Sequence, residues 1–62
     1  EEINFVVQIN GKKRSILRVK RDINKNEILN EIKSNIKIKK IIKDQEIQKT
    51  IFVPNRLINI II

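Results

Sequence analysis

The sequence predicts a small α+β domain, ββααββ in order, with an antiparallel four-stranded sheet and two short helices on one face. Three observations predict it. β-branched runs flank Asn10-Gly11 near the start. A second pair of such runs flanks Pro54-Asn55 near the close. Between them, apolar residues recur at helical spacing. A chain of 62 residues makes one domain at most, and no linker or low-complexity spacer divides residues 1–62.

The first strand is INFVVQI, residues 3–9, where Ile3, Phe5 and Val7 share a face opposite Asn4, Val6 and Gln8. Its hairpin partner is KRSILRVKR, residues 13–21, with Leu17 and Val19 on one face and Arg14, Arg18 and Lys20 on the other. Loop length decides which faces coincide. A two-residue Asn10-Gly11 loop pairs Ile9 with Lys12 and Val7 with Arg14, setting both cations among Phe5 and Val7. A three-residue loop, Ile9-Asn10-Gly11 with Gly11 left-handed in a bulge, pairs Gln8 with Lys12, Val6 with Arg14 and Phe5 with Ser15. Ile3, Phe5, Val7, Leu17 and Val19 then line one face. A one-residue slip flips every side chain, and buried unpaired cations are costly, so the three-residue bulged loop is expected.

The stretch 22–34 follows. Asn24 is a candidate N-cap, and Glu27 completes a capping-box pattern. Ile28, Leu29 and Ile32 form the apolar stripe of a first helix. In residues 35–43, Ile38, Ile41 and Ile42 have helical spacing while Ile36 and Ile38 alternate as in a strand; a short second helix capped by Asn35 is expected. Residues 46–53 and 57–62 are the closing strands. Two roughly antiparallel helices would return the chain to the end where the second strand finished. The third strand would then run with the first, and both hairpin turns would share one end, bringing Lys12, Lys13 and Arg14 beside Asn55 and Arg56.

Catalysis finds no foothold. There is no His or Cys, and the hydroxyls Ser15, Ser34 and Thr50 have no candidate base. Asp44 and Glu46 sit in an expected turn, no metal-ligand spacing occurs, and one glycine cannot build a phosphate loop. No metal or cofactor is expected for this domain. The absence of Cys favours a reducing compartment. No apolar run approaches the roughly 20 residues of a membrane span and no signal peptide is visible, so a cytoplasmic location is expected.

The formal charge is +7 at pH 7, which suits a polyanionic partner. The chain is also rich in Ile, Lys and Asn, so charge alone does not choose between nucleic-acid binding and a basic surface. Position says more. Lys12, Lys13, Arg14, Arg18, Lys20 and Arg21 precede Asp22 without an intervening acid. Arg14, Arg18 and Lys20 form a row along the outward face of the second strand, suited to a phosphate backbone. A second run, Lys37, Lys39, Lys40 and Lys43, reads as a solvated helix face. Phe5 and Phe52 are the only aromatics and lie outside the basic runs, so any RNA contact is expected through backbone and shape, not stacked bases.

Two stretches carry a resemblance. VVQINGKKR, residues 6–14, resembles the V-Q-V-N-G-K-x-R motif of the C-terminal domain of bacterial-type leucyl-tRNA synthetases. IFVPNRLINIII, residues 51–62, resembles the closing Y-V-P-G-K-L-x-N-L-V-V of the same domain. Gln8, Asn10, Gly11, Lys12 and Arg14 match the first motif; Val53, Pro54, Leu57 and Asn59 match the second, with Arg56 where the family often has Lys. Asn55 replaces a commoner Gly, and Asn tolerates left-handed φ. Arg18, Lys20 and Arg21 stand where other members carry less charge.

The resemblance implies a non-catalytic tRNA-binding appendage on a larger synthetase. It would contact the tRNA elbow, where the D- and T-loops meet, in support of leucylation of tRNA(Leu). ATP and leucine would be used elsewhere, by the body of a leucine–tRNA ligase. The expected tRNA-binding residues are Lys12, Lys13, Arg14, Arg56, Asn10, Asn55, Arg18 and Lys20. The expected partners are tRNA and the rest of the synthetase chain, with no membrane. The competing expectation is a protein-interaction module that docks on the parent enzyme through the exposed apolar Val6 and Ile16.

Overall fold

The computed structural model describes all residues 1–62. Six elements follow in order: β1 (Glu2–Ile9), β2 (Lys12–Lys20), α1 (Lys25–Ser34), α2 (Ile36–Ile42), β3 (Lys49–Val53) and β4 (Leu57–Ile61). Local sequence explains the helices. Asn24 accepts a hydrogen bond from the Glu27 amide, and the Glu27 carboxylate accepts one from the Asn24 amide, closing the capping box that opens α1. Asn35 does double duty. Its backbone N–H donates to the Ile32 carbonyl at the end of α1, while its side chain accepts from the Ile38 amide to start α2. Ile38 is buried while Ile36 is exposed, so helical periodicity governs the segment that sequence left ambiguous.

The sheet order is β2-β1-β4-β3. It is mixed, not purely antiparallel: β4 lies parallel to β1, with Val6 opposite Leu57 and Ile9 opposite Ile60. β3 therefore runs against β1, not with it. α2 is short for a helix expected to return the chain. Its seven residues span about 10 Å, too little to carry the chain back along the sheet. Residues 43–48 then enter β3 opposite Ile61, at the end where β1 finishes. The two hairpin turns consequently lie at opposite ends of β4.

The first hairpin reaches the expected facing by another device. Asn10 and Gly11 make a two-residue turn, with φ of 52° and 84°, the left-handed pair of a type I′ hairpin. Pairing runs Ile9 to Lys12 and Gln8 to Lys13, then jumps to Val7 with Ser15, leaving Arg14 in a bulge. Phe5 thus faces Leu17 rather than Ser15, and Val6 faces Ile16 rather than Arg14. The three-residue loop is replaced by the turn whose twist matches its strands. A bulge within β2 supplies the extra residue that takes Arg14 out of register with the core face, while Lys12, opposite Ile9, stays exposed on the edge strand.

Phe5, Val7 and Ile9 of β1, Val19 of β2 and Ile58 and Ile60 of β4 form the sheet side of the core. Ile28 and Ile32 of α1 and Ile38 of α2 close it from above, with Ile23 at the corner and no polar side chain buried. Both helices therefore cover one face. Phe52 packs against this core, its ring stacked on Phe5 with centroids 5.8 Å apart. The opposite sheet face is uncovered. Across it Ile16, Val6, Leu57 and Val53 stand in register, one from each strand. No helix is long and apolar enough to cross a membrane.

Candidate nucleic-acid interface

The β1–β2 turn is clamped to β4 by backbone and side chain. The Asn10 amide donates to the Ile60 carbonyl at 2.8 Å. The Gly11 amide donates to Asn59 Oδ1 at 2.9 Å, and the Ile62 amide donates to Asn10 Oδ1 at 2.9 Å. Gly11 is required for its φ alone, since a Cβ there would meet nothing within 4 Å. The side chain of Asn10, an expected RNA contact, is therefore engaged in holding the turn. Asn59, in the second motif, is the matching brace.

From this clamped turn project Lys12, Lys13 and Arg14, all exposed and none within salt-bridge distance of an acid. The bulge leaves Arg14 without a cross-strand partner. Lys12 and Lys13 alternate between the two faces of the edge strand and Arg14 sits in the bulge, so the three surround the end of the hairpin with positive charge that phosphate oxygens can neutralise.

The other expected contacts are placed differently. Arg18 Nε lies 3.3 Å from Glu2 Oε1, and its guanidinium also donates to Asn4 Oδ1 at 3.2 Å. Lys20 Nζ is 2.8 Å from Glu27 Oε2. The hydrogen bond from Lys20, followed by that from the Asn24 amide, holds the Glu27 carboxyl below the usual carboxylate range. These two β2 cations thus have internal partners. Asn55 is also engaged: its side chain accepts from the Asp22 amide at 2.7 Å and donates to Asp22 Oδ1 at 2.9 Å. That clasp ties the β3–β4 turn to the corner between β2 and α1, with both residues left-handed at φ of 61° and 64°.

Arg56 is exposed in the β3–β4 turn, and its carbonyl accepts from the Val6 amide. The expected single edge joining Lys12, Lys13 and Arg14 to Asn55 and Arg56 does not form, because β4 runs parallel to β1. Arg56 precedes the Val6–Leu57 pair, whereas Lys12 faces Ile9. Roughly four residues of strand, about 13 Å, and two strand spacings, about 10 Å, separate their backbones, or about 16 Å in all. Sequence reasoning named Val6 and Ile16 as exposed apolar residues but missed that Leu57 and Val53 extend them into a row across the sheet. Its signal was β4 itself, apolar at nearly every position and so an inner strand with two contact faces.

A scan against models of known protein families finds no match. Individual proteins do match. Over 62 residues the chain is 44% identical to the leucine–tRNA ligase of Buchnera aphidicola subsp. Cinara cedri (strain Cc), covering all of this chain and 7% of that protein. It is 45% identical over 62 residues to the leucine–tRNA ligase of Orientia tsutsugamushi (strain Boryong), again across 7% of that protein. Its fold resembles part of a solved structure, the ternary complex of Agrobacterium radiobacter K84 agnB2 LeuRS with tRNA and LeuAMS. The TM-score is 0.90 at 28% identity, over 98% of this chain and 8% of that one. The chain thus spans less than a tenth of the length of these relatives.

Proposed function

Because this chain belongs with the C-terminal domains of bacterial-type leucyl-tRNA synthetases, we propose that it is a non-catalytic tRNA-binding appendage of a leucine–tRNA ligase. It meets the outer corner of tRNA(Leu), the D- and T-loop elbow, and so supports leucylation carried out by the rest of the parent chain in the cytoplasm. The single observation that carries the contact is the trio Lys12, Lys13 and Arg14, unpaired on a turn that Asn10 and Asn59 fix to β4. A rigid cationic turn suits a folded RNA corner, where phosphates from different strands converge. Arg56 adds a second point of contact about 16 Å away. Both aromatic rings are spent in packing, so bases are not read by stacking. Arg18 and Lys20 play the smaller part, since acids on this chain already hold them.

A second reading rests on the uncovered apolar row. Ile16, half exposed at 50%, with Val6, Leu57 and Val53, offers a dry strip to the parent enzyme. Amide chemical-shift mapping of the chain with tRNA separates the two. The tRNA reading predicts shifts at residues 10–14 and at Arg56. Silence at both turns, with shifts confined to core positions such as Phe5, Leu17 and Val19, defeats it. Retention of most affinity after Lys12→Ala, Arg14→Ala and Arg56→Ala together favours apolar docking instead.

A further inference from the structure

We propose that the cleft between the ends of α1 and α2 and residues 43–48 is a docking site for an acidic protein segment with aliphatic anchors. The cleft is an open groove of about 600 Å³, within the range of sites that hold a side chain or small ligand. Its apolar lining is Ile32, Ile42 and Ile47. Ile47 remains 42% exposed although it belongs to no helix or strand. Lys33, Lys39 and Lys43 surround that lining against the single acid Glu46. None of the three lysines is within salt-bridge distance of an acid. An apolar floor ringed by unneutralised cations asks for carboxylates and aliphatic side chains in one ligand.

The same details select the class of partner. Nucleobases need a ring or a guanidinium plane to stack on. This cleft has neither, because its cations are lysines and both phenylalanine rings pack on each other. A second copy of the chain is disfavoured by a formal charge of +7 on each molecule. A peptide alternating carboxylates with leucine-like side chains satisfies both halves of the cleft. This surface is separate from the clamped turn, and the proposal stands whether or not the turn meets tRNA.

The test is an amide-shift titration of the isotope-labelled chain with a synthetic peptide of repeated Glu-Glu-Leu. Oligoglutamate of equal charge and bulk tRNA serve as parallel arms. The expected result is saturable shifts at Ile32, Lys33, Ile42, Lys43 and Ile47 with the leucine-containing peptide and clearly weaker binding of oligoglutamate. Lys33→Glu, Lys39→Glu and Lys43→Glu together should weaken the peptide by roughly tenfold or more. Ile47→Ser, at an exposed position, should weaken it while leaving the rest of the spectrum in place. Equal affinity for oligoglutamate overturns the proposal, because charge alone would then suffice. So do peptide shifts elsewhere, or tRNA moving the cleft signals when the peptide does not. Failure of the tRNA function is read independently, from the signals of residues 10–14.

Discussion

Removing the turn cations should flatten the salt dependence of tRNA binding by a calculable amount. The perturbation is Lys12→Ala, Lys13→Ala and Arg14→Ala together. All three side chains are exposed and lack acidic partners, so each is free to neutralise a phosphate. Each neutralised phosphate contributes about 0.7 to 0.9 to the slope of log affinity against log salt, so the triple variant should lose about 2 to 2.7. Over a fourfold rise in salt, the unsubstituted chain should weaken roughly twenty- to fortyfold more than the variant. Fluorescence anisotropy with labelled tRNA across a salt series measures both slopes. Arg18→Gln with Lys20→Gln is the internal comparison. Those cations already lie against Glu2, Asn4 and Glu27, so this pair should remove less than about 1 from the slope. A triple variant that keeps the full slope would falsify the assignment of the turn. A larger loss from the Arg18 and Lys20 pair would relocate the phosphate track to β2.

Three further outcomes follow from local geometry. Asn55→Ala should cost about 2–3 kcal/mol in urea unfolding, from two hydrogen bonds to Asp22 and a left-handed backbone that Ala resists. Asn55→Gly should cost about 1 kcal/mol less, because only the hydrogen bonds go; equal losses would show that the φ of 61° stores nothing. Gly11→Ala should cost about 1 kcal/mol and Gly11→Asn only a few tenths, since φ and not space is limiting there. A much larger Ala penalty would mean that the turn itself had rearranged. Acidification should weaken the β2–α1 junction through Glu27. Its folded pKa is depressed, so its stabilisation is complete above the ordinary glutamate value of about 4.3 and is lost as pH falls through the lower folded value. Glu27→Gln keeps a capping acceptor but no charge, and should remove that part of the acid limb in a pH series of thermal melts. An unchanged acid limb would count against the Lys20 contact.

Much of the fold was legible because its signals are short-range. Asn24 and Glu27 are close enough in sequence to announce their own capping box, and Asn35 announces the break between the helices. The alternation of Phe5 and Val7, set against Leu17 and Val19, announced which faces must meet. It fixed the parity of the pairing but not the pairing itself. A three-residue loop and a two-residue turn with a bulge at Arg14 both bury the same side chains. They differ by two residues of register, which a pattern of period two cannot distinguish.

The candidate site was legible in part. Lys12, Lys13 and Arg14 lie beside a turn that sequence places firmly, and all three are exposed there. Sequence could not show that Arg18 and Lys20 would find Glu2 and Glu27, nor that Asn55 would clasp Asp22. Those partners are remote along the chain and depend on strand order. By itself, then, the sequence determined helix caps, turn positions, strand facing and the kinship of the chain. Tertiary structure alone decided that β4 lies parallel to β1, which sends Arg56 away from the cationic turn. The reason is physical. Caps and periodicity act between neighbours a few residues apart, whereas strand direction depends on where a short helix and a free loop leave the chain relative to the whole sheet.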